Sequence, residues 1–198
     1  MNPSEENITH RFFKHLNTFV TVEEKDFPHI LSYFNTVKLS KKEIAVRAGG
    51  KCNTKYFVLS GCLHMFFTDE KGADRTIQFA LENWWLTDAL ALHHQTNTDF
   101  NIQAVEDSEV LEIETDNHDL LLEAYPQMEK YFRMMYQIAY GASVKRMYYI
   151  FNYSKEEIFF SFREQFPEFV QRVPQYLIAT YLGLTPEYLS KLRAKKVS

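Results

Sequence analysis

Near the C-terminal end, Lys191 follows Glu187 by four residues and Tyr188 by three, and Arg193, Lys195 and Lys196 come next. On a helix that spacing puts the first three on one exposed face, ahead of a run of cations. Such a surface suits the polar edges and phosphates of a DNA duplex, because basic side chains supply most of the affinity for the backbone. Gln175 opens the stretch, and Thr185 stands just before the face begins. For these groups to act together, two short helices must cross beneath them. Ile178, Leu182, Leu184, Leu189 and Leu192 are the inward positions, and Ala179 is small enough for close approach. Gly183 falls where the turn needs positive φ, with Thr185 as N-cap and Pro186 at the first helical position. This is the pattern of a helix-turn-helix whose second helix enters the major groove. The same residues would also build a plain helical hairpin.

Charge divides the chain. Residues 1–125 hold 11 Lys and Arg against 20 Asp and Glu, while residues 126–198 hold 11 against 6. The net charge of −4 therefore hides an acidic front and a basic back, and the basic part contains the helix pair. Hydrophobic content of 45% and aromatic content of 16% fit an ordered globular protein in a chain of 198 residues. No apolar run approaches the roughly 18 residues of a membrane span, and the N-terminus lacks the form of a signal peptide, so a cytoplasmic protein with no membrane partner is expected. Cys52 and Cys62 are too few for a four-Cys metal site and are expected as buried thiols.

Periodicity supplies the remaining elements. Residues 4–20 read as an amphipathic helix with Ile8, Phe12, Leu16 and Phe19 on one side, and a short helix follows through Phe27, Leu31 and Phe34. From about residue 36 short strand-like runs take over, at 37–39, 44–46, 55–60, 62–68, 76–81, 100–105 and 110–113, with the even spacing of a β-roll. The longest interruption, Asn83 to Asp99, contains Trp85 and a short helix over Asp88 to His94, and long insertions of this kind often hold a ligand site. After Thr115 the chain is helical. Gln127 to Asn152 runs without proline, and Met128, Phe132, Met135, Ala139, Ala142 and Tyr149 form a near-heptad row, interrupted by Arg146, that would serve as a two-fold dimer seam. Purely intramolecular packing is the competing reading of that row. Ser154-Lys-Glu-Glu157 is a capping box that starts a new helix.

The order of parts resembles the Crp/Fnr superfamily of bacterial transcription regulators. Glu43-Ile-Ala-Val-Arg-Ala-Gly49, Lys55-Tyr-Phe-Val-Leu-Ser-Gly61 and Ile102 to Ile113 look like its cyclic-nucleotide-binding-type domain. The resemblance implies an α+β protein: an N-terminal double-stranded β-helix (jelly-roll-like) effector domain over 1–125, a long dimerisation helix over 126–152 and a helix-turn-helix domain over 153–198. Where members that bind cyclic AMP carry a Gly-Glu pair and an Arg followed by Ser or Thr and Ala, this chain has Thr87-Asp88 and Thr98-Asp99-Phe100. Carboxylates there would repel a phosphate, so cyclic AMP is not expected; Trp85, Thr87, Asp88, Thr98 and Asp99 become candidates for lining a pocket for another effector. By the same match Glu187 and Lys191 would read base edges, while Thr185, Arg193, Lys195 and Lys196 would hold phosphates.

The function implied is that of a homodimeric regulator with double-stranded DNA, its own second copy and RNA polymerase as partners, no metal, no resident cofactor and no catalytic residues. Two other readings stand beside it. One is a ligand-binding or protein-interaction module with a vestigial helix-turn-helix. The other is a cupin-type metalloenzyme, which would need converging histidines, and the sequence has no His-x-His pair.

Overall fold

The computed structural model describes residues 3–195, with side chains over residues 10–194. It divides into two compact units, one made of residues through Met65 with Phe79–Gln137, the other of Phe66–Gln78 with the chain from Ile138 onward. The boundary falls inside the long helix and not at Asn152, where the sequence suggests a joint. Expected as three stretches, the chain packs as two units, because the first turns of the long helix bury their apolar side chains in the roll's own core.

The chain starts with α1 (Pro3–Phe19) and α2 (Phe27–Leu31), followed by β1 (Asn35–Leu39), β2 (Ile44–Val46), β3 (Thr54–Ser60), β4 (Leu63–Thr68), β5 (Asp74–Ala80) and the two-residue β6 (Trp85–Leu86). Helix α3 (Ala89–His94) interrupts before β7 (Asn101–Ala104) and β8 (Ser108–Glu114). The strands form two four-stranded sheets, in the orders β1-β8-β3-β6 and β2-β7-β4-β5. β3 pairs antiparallel with β8, Phe57 opposite Leu111 and Lys55 opposite Ile113. Its five central residues, Lys55 to Leu59, are all buried, as expected of a strand covered on both faces.

One of those faces carries the helices. Phe12 and Leu16 of α1 and Ile30 of α2 pack on Phe57, Leu59, Leu111 and Ile113, together with Leu121 of α4 (Thr115–Ala124) and Met128, Tyr131 and Phe132 of α5 (Gln127–Asn152). The rings interlock: Phe12 lies 4.8 Å from Phe57 and Trp85 lies 5.3 Å from Phe132. Trp85 Nε1 donates to the Tyr131 hydroxyl at 2.8 Å, which satisfies both polar groups inside an aromatic cluster. Ile8, expected on the same face of α1, lies outside the residues whose side chains are described. Cys52 and Cys62 are buried thiols that are not joined in a disulfide.

The second unit contains the hairpin end 66–78, the second half of α5, then α6 (Lys155–Gln165), α7 (Pro167–Arg172), α8 (Gln175–Tyr181) and α9 (Pro186–Lys195). Ser154 and Glu157 form the expected capping box at the start of α6. Helix α7 has no counterpart in the sequence reading; Phe169 and the following Val173 are buried and hold it in place. Among the described residues no helix is long and apolar enough to cross a membrane. The architecture is the one the sequence implies: an α+β chain with an N-terminal jelly-roll-like domain, a long helix of 26 residues and a C-terminal helix-turn-helix.

Candidate nucleic-acid interface

The helix pair closes as its spacing requires. Ile178 and Ala179 of α8 are buried with Leu182, Leu184, Leu189 and Leu192, so two turns of α8 and three of α9 share one small core. Gly183 takes φ +70, and the Leu184 N–H returns to the Ala179 carbonyl at 2.8 Å. The Thr185 hydroxyl accepts the Tyr188 N–H at 3.2 Å, capping α9 ahead of Pro186. On the second unit's own side, the Thr180 hydroxyl donates to the Thr76 hydroxyl at 3.2 Å, so α8 is tied to the hairpin end.

The outward face of α9 presents Thr185, Glu187, Tyr188, Lys191 and Arg193, all exposed. The Lys195 side chain and Lys196 lie outside the described residues. Gln175 is exposed at the start of α8 and, with Arg193, lines a groove of about 610 Å³ that also holds Arg163 and Arg172. The sequence reading missed those two arginines. Their only trace in the sequence is the basic excess of the C-terminal part, since without α7 nothing fixes Arg172 near α9.

In the roll, the expected pocket residues separate into two groups. The Thr87 hydroxyl donates to the Thr54 carbonyl at 2.9 Å. Asp88 caps α3, accepting from the Leu90 and Ala91 N–H groups at 3.2 and 3.1 Å, and takes a third hydrogen bond from the buried Thr98 hydroxyl at 2.7 Å. The helix end that could attract an anion is thus already occupied by the chain's own carboxylate. Asp99 is exposed, and Trp85 points into the aromatic core; neither joins the other three. Trp85 as a pocket residue is therefore corrected: its ring fills the space between β3 and α5, against Phe57 and Phe132. The cavity near this region measures about 120 Å³ and is lined by Lys51, Cys52, Asn53, Gln95, Glu114, Thr115 and Asp116, none of the five expected. It is small beside the roughly 300 Å³ at which ligand pockets begin.

The row proposed as a dimer seam is also displaced. Met128 and Phe132 are buried in the roll's core, which leaves them no surface for a partner, and Met135 is half-buried against it. Ala139 and Tyr149 are half-buried, and Ala142 is exposed on the same side. Arg146, which looked like an interruption, continues this inward row: its guanidinium donates to the carbonyls of Ile77 and Tyr181. The exposed apolar row is another one, Tyr140, Val144, Met147 and Phe151, with Tyr140 73% and Phe151 82% exposed. Its spacing of four, three and four is a heptad seam of the same period and a different phase. Among the described residues no group of three or more His, Cys, Asp or Glu side chains could hold a metal ion.

Residues 36–125 match the family model of the cyclic nucleotide-binding domain. No curated protein matches the sequence. Solved structures with a similar fold include FixK2 from Bradyrhizobium japonicum, at TM-score 0.67 and 15% identity over 82% of this chain and 83% of that one. A CooA variant from Carboxydothermus hydrogenoformans matches at 0.66 and 18%, covering 88% and 80%. A regulator assigned to the Crp/Fnr family from Eubacterium rectale matches at 0.66 and 14%, covering 89% and 84%. At these identities the likeness is one of fold, and it runs through both units. A nucleotide-binding-type domain over residues 36–125, a long helix and a helix-turn-helix behind it give the chain the fold that these solved regulators share.

Proposed function

We propose that the chain is a homodimeric, sequence-specific DNA-binding transcription regulator whose effector domain does not respond to cyclic AMP. The observation that carries this reading is the exposed face of α9, where Glu187, Tyr188, Lys191 and Arg193 stand clear of the protein beside a groove holding Arg163 and Arg172. Lys191 can donate to guanine O6 or N7 and Glu187 can accept from cytosine N4, while the arginines hold phosphates. The exposed row Tyr140, Val144, Met147 and Phe151 supports a two-fold pairing through α5, which would set two copies of α9 one groove repeat apart, roughly 34 Å. Loss of response to cyclic AMP is supported by Asp88, whose carboxylate caps α3 and accepts from Thr98, so that a phosphate brought near it would meet a like charge. Such a regulator works in the cytoplasm, with double-stranded DNA and RNA polymerase as its partners.

The test is fluorescence anisotropy with a duplex selected from a random pool. Lys191→Ala is expected to weaken the selected duplex by about tenfold or more while leaving a random duplex less affected. Raising salt from 50 to 200 mM should cost about 10³-fold in affinity if six or more phosphates are contacted. Selection that enriches no duplex, or an affinity indifferent to salt, would leave a vestigial helix-turn-helix as the better account.

A further inference from the structure

Inside the second unit lies a cavity of about 380 Å³ between α5, α6 and the end of α8. Most of its wall is aromatic or aliphatic, including Tyr149, Tyr153, Phe162, Phe166, Tyr181 and Leu182. The volume falls in the range of small-molecule sites, roughly 300–1,000 Å³. Tyr153 and Phe166 are 41% and 50% exposed, so the cavity leaves large apolar area in contact with water.

Its charge is one-sided. Arg146 stacks on the Tyr181 ring at 4.0 Å and donates to two carbonyls, and both partners are neutral. Among the described residues no carboxylate pairs with Arg146, and no Asp or Glu lines the cavity. Lys145 adds a second cation, 5.9 Å from the Tyr149 ring. Burying a guanidinium without a counter-charge is costly, and an anion placed beside it would recover part of that cost.

We propose that this cavity is a binding site for a small amphipathic organic anion, its apolar body among the aromatic rings and its acidic group against Arg146 and Lys145. At about 100° per residue, Ala142, Arg146, Tyr149 and Tyr153 face roughly opposite to Tyr140, Val144, Met147 and Phe151. A second copy seated on the exposed row therefore leaves the cavity open. Tyr181 and Leu182 form part of its wall and directly precede the turn into α9, so an occupant would fix the setting of the helix pair. That consequence rests on the DNA-binding reading; occupancy itself does not.

Binding can be measured on the full chain without DNA. The probes are 8-anilinonaphthalene-1-sulfonate and N-phenyl-1-naphthylamine, which shares the rings and lacks the sulfonate. The sulfonate is expected to saturate at one per chain and to bind at least about tenfold tighter than the neutral probe. Ala142→Phe, which fills the cavity from α5, should weaken both probes by about tenfold, and Lys145→Gln or Arg146→Met should erase the preference for the anion. Met147→Glu, on the exposed row, should change neither. Non-saturable binding, equal affinities for the two probes, or loss of binding on Met147→Glu in place of Ala142→Phe would overturn the proposal. Those failures would leave the Lys191 experiment untouched, because it needs no probe.

Discussion

Asp88 in the roll receives three hydrogen bonds from its own chain, while Arg146 in the helical unit meets two carbonyl oxygens and a ring and, among the described residues, pairs with no carboxylate. The first arrangement satisfies a charge with neutral donors of the chain itself. The second leaves a charge without its opposite and keeps a cavity beside it. The same contrast shows in packing. Gly61 of the roll, at φ +97, sits so close to β8 that an added Cβ would fall 2.2 Å from Ser108 Oγ and 2.6 Å from Ser108 Cα. Gly183 of the helix pair also has positive φ, but an added Cβ there would meet nothing within 4 Å. At Gly61 the roll leaves no room for another atom, whereas at Gly183 the helix pair does.

The sharpest way to break that comparison is to put the same substitution at both glycines. Gly61→Ala adds overpacking against a backbone atom to the cost of positive φ, and is expected to lose about 4 kcal/mol in urea unfolding. Gly183→Ala should lose only about 1 kcal/mol, the cost of the backbone conformation alone. Equal losses at the two sites would mean that the roll relaxes as readily as the helix pair.

A smaller effect tests the corner that Asp88 holds. Asp88→Ala removes the cap of α3 and leaves the buried Thr98 hydroxyl without its acceptor, an expected loss of about 2 kcal/mol by the same measurement. Asp88→Asn keeps an acceptor for Thr98 and should recover about half of it. A wild-type midpoint for Asp88→Ala would show that the carboxylate is not what holds this corner together.

Much of this was legible because local chemistry and tertiary need agree. Gly183, Thr185 and Pro186 specify a turn and a cap whatever surrounds them, and Ser154 with Glu157 does the same for α6. What stayed hidden depends on the other side of a contact. Two heptad-like rows run along α5, and the one read as a seam faces the chain's own core; nothing local says which row the roll will cover. Arg146 looked like a break in an apolar row because a sequence does not reveal that its guanidinium reaches the carbonyls of Ile77 and Tyr181. Trp85 sits in a loop beside acidic residues, and β6, two residues long, gives no alternation from which its direction could be read. The groove with Arg163 and Arg172 was missed because a helix of six residues between prolines resembles a linker.

The smallest expected effect is a slope with pH, and it belongs to the roll alone. His15 lies among rings, 5.0 Å from Phe57, 5.2 Å from Phe19 and 5.7 Å from Tyr131, and its buried Nε2 has no hydrogen-bond partner among the described residues. Burial lowers its pKa from 6.5 to about 4. His118 is lowered as well, by burial first and then by Lys55, against an opposing hydrogen bond with Asp119. A histidine whose folded pKa is depressed binds fewer protons in the folded than in the unfolded state between the two values. Its contribution is therefore intact above pH 6.5 and is lost as pH falls toward 4. Because water still reaches part of the ring, the loss from His15 between pH 7 and 5 should stay under ~1 kcal/mol. Thermal unfolding of wild type is expected at a lower midpoint at pH 5 than at pH 7, and His15→Phe, which keeps the ring packing and removes the titration, should flatten that difference. A slope unchanged by His15→Phe would move the titration elsewhere in the roll, to His118 first.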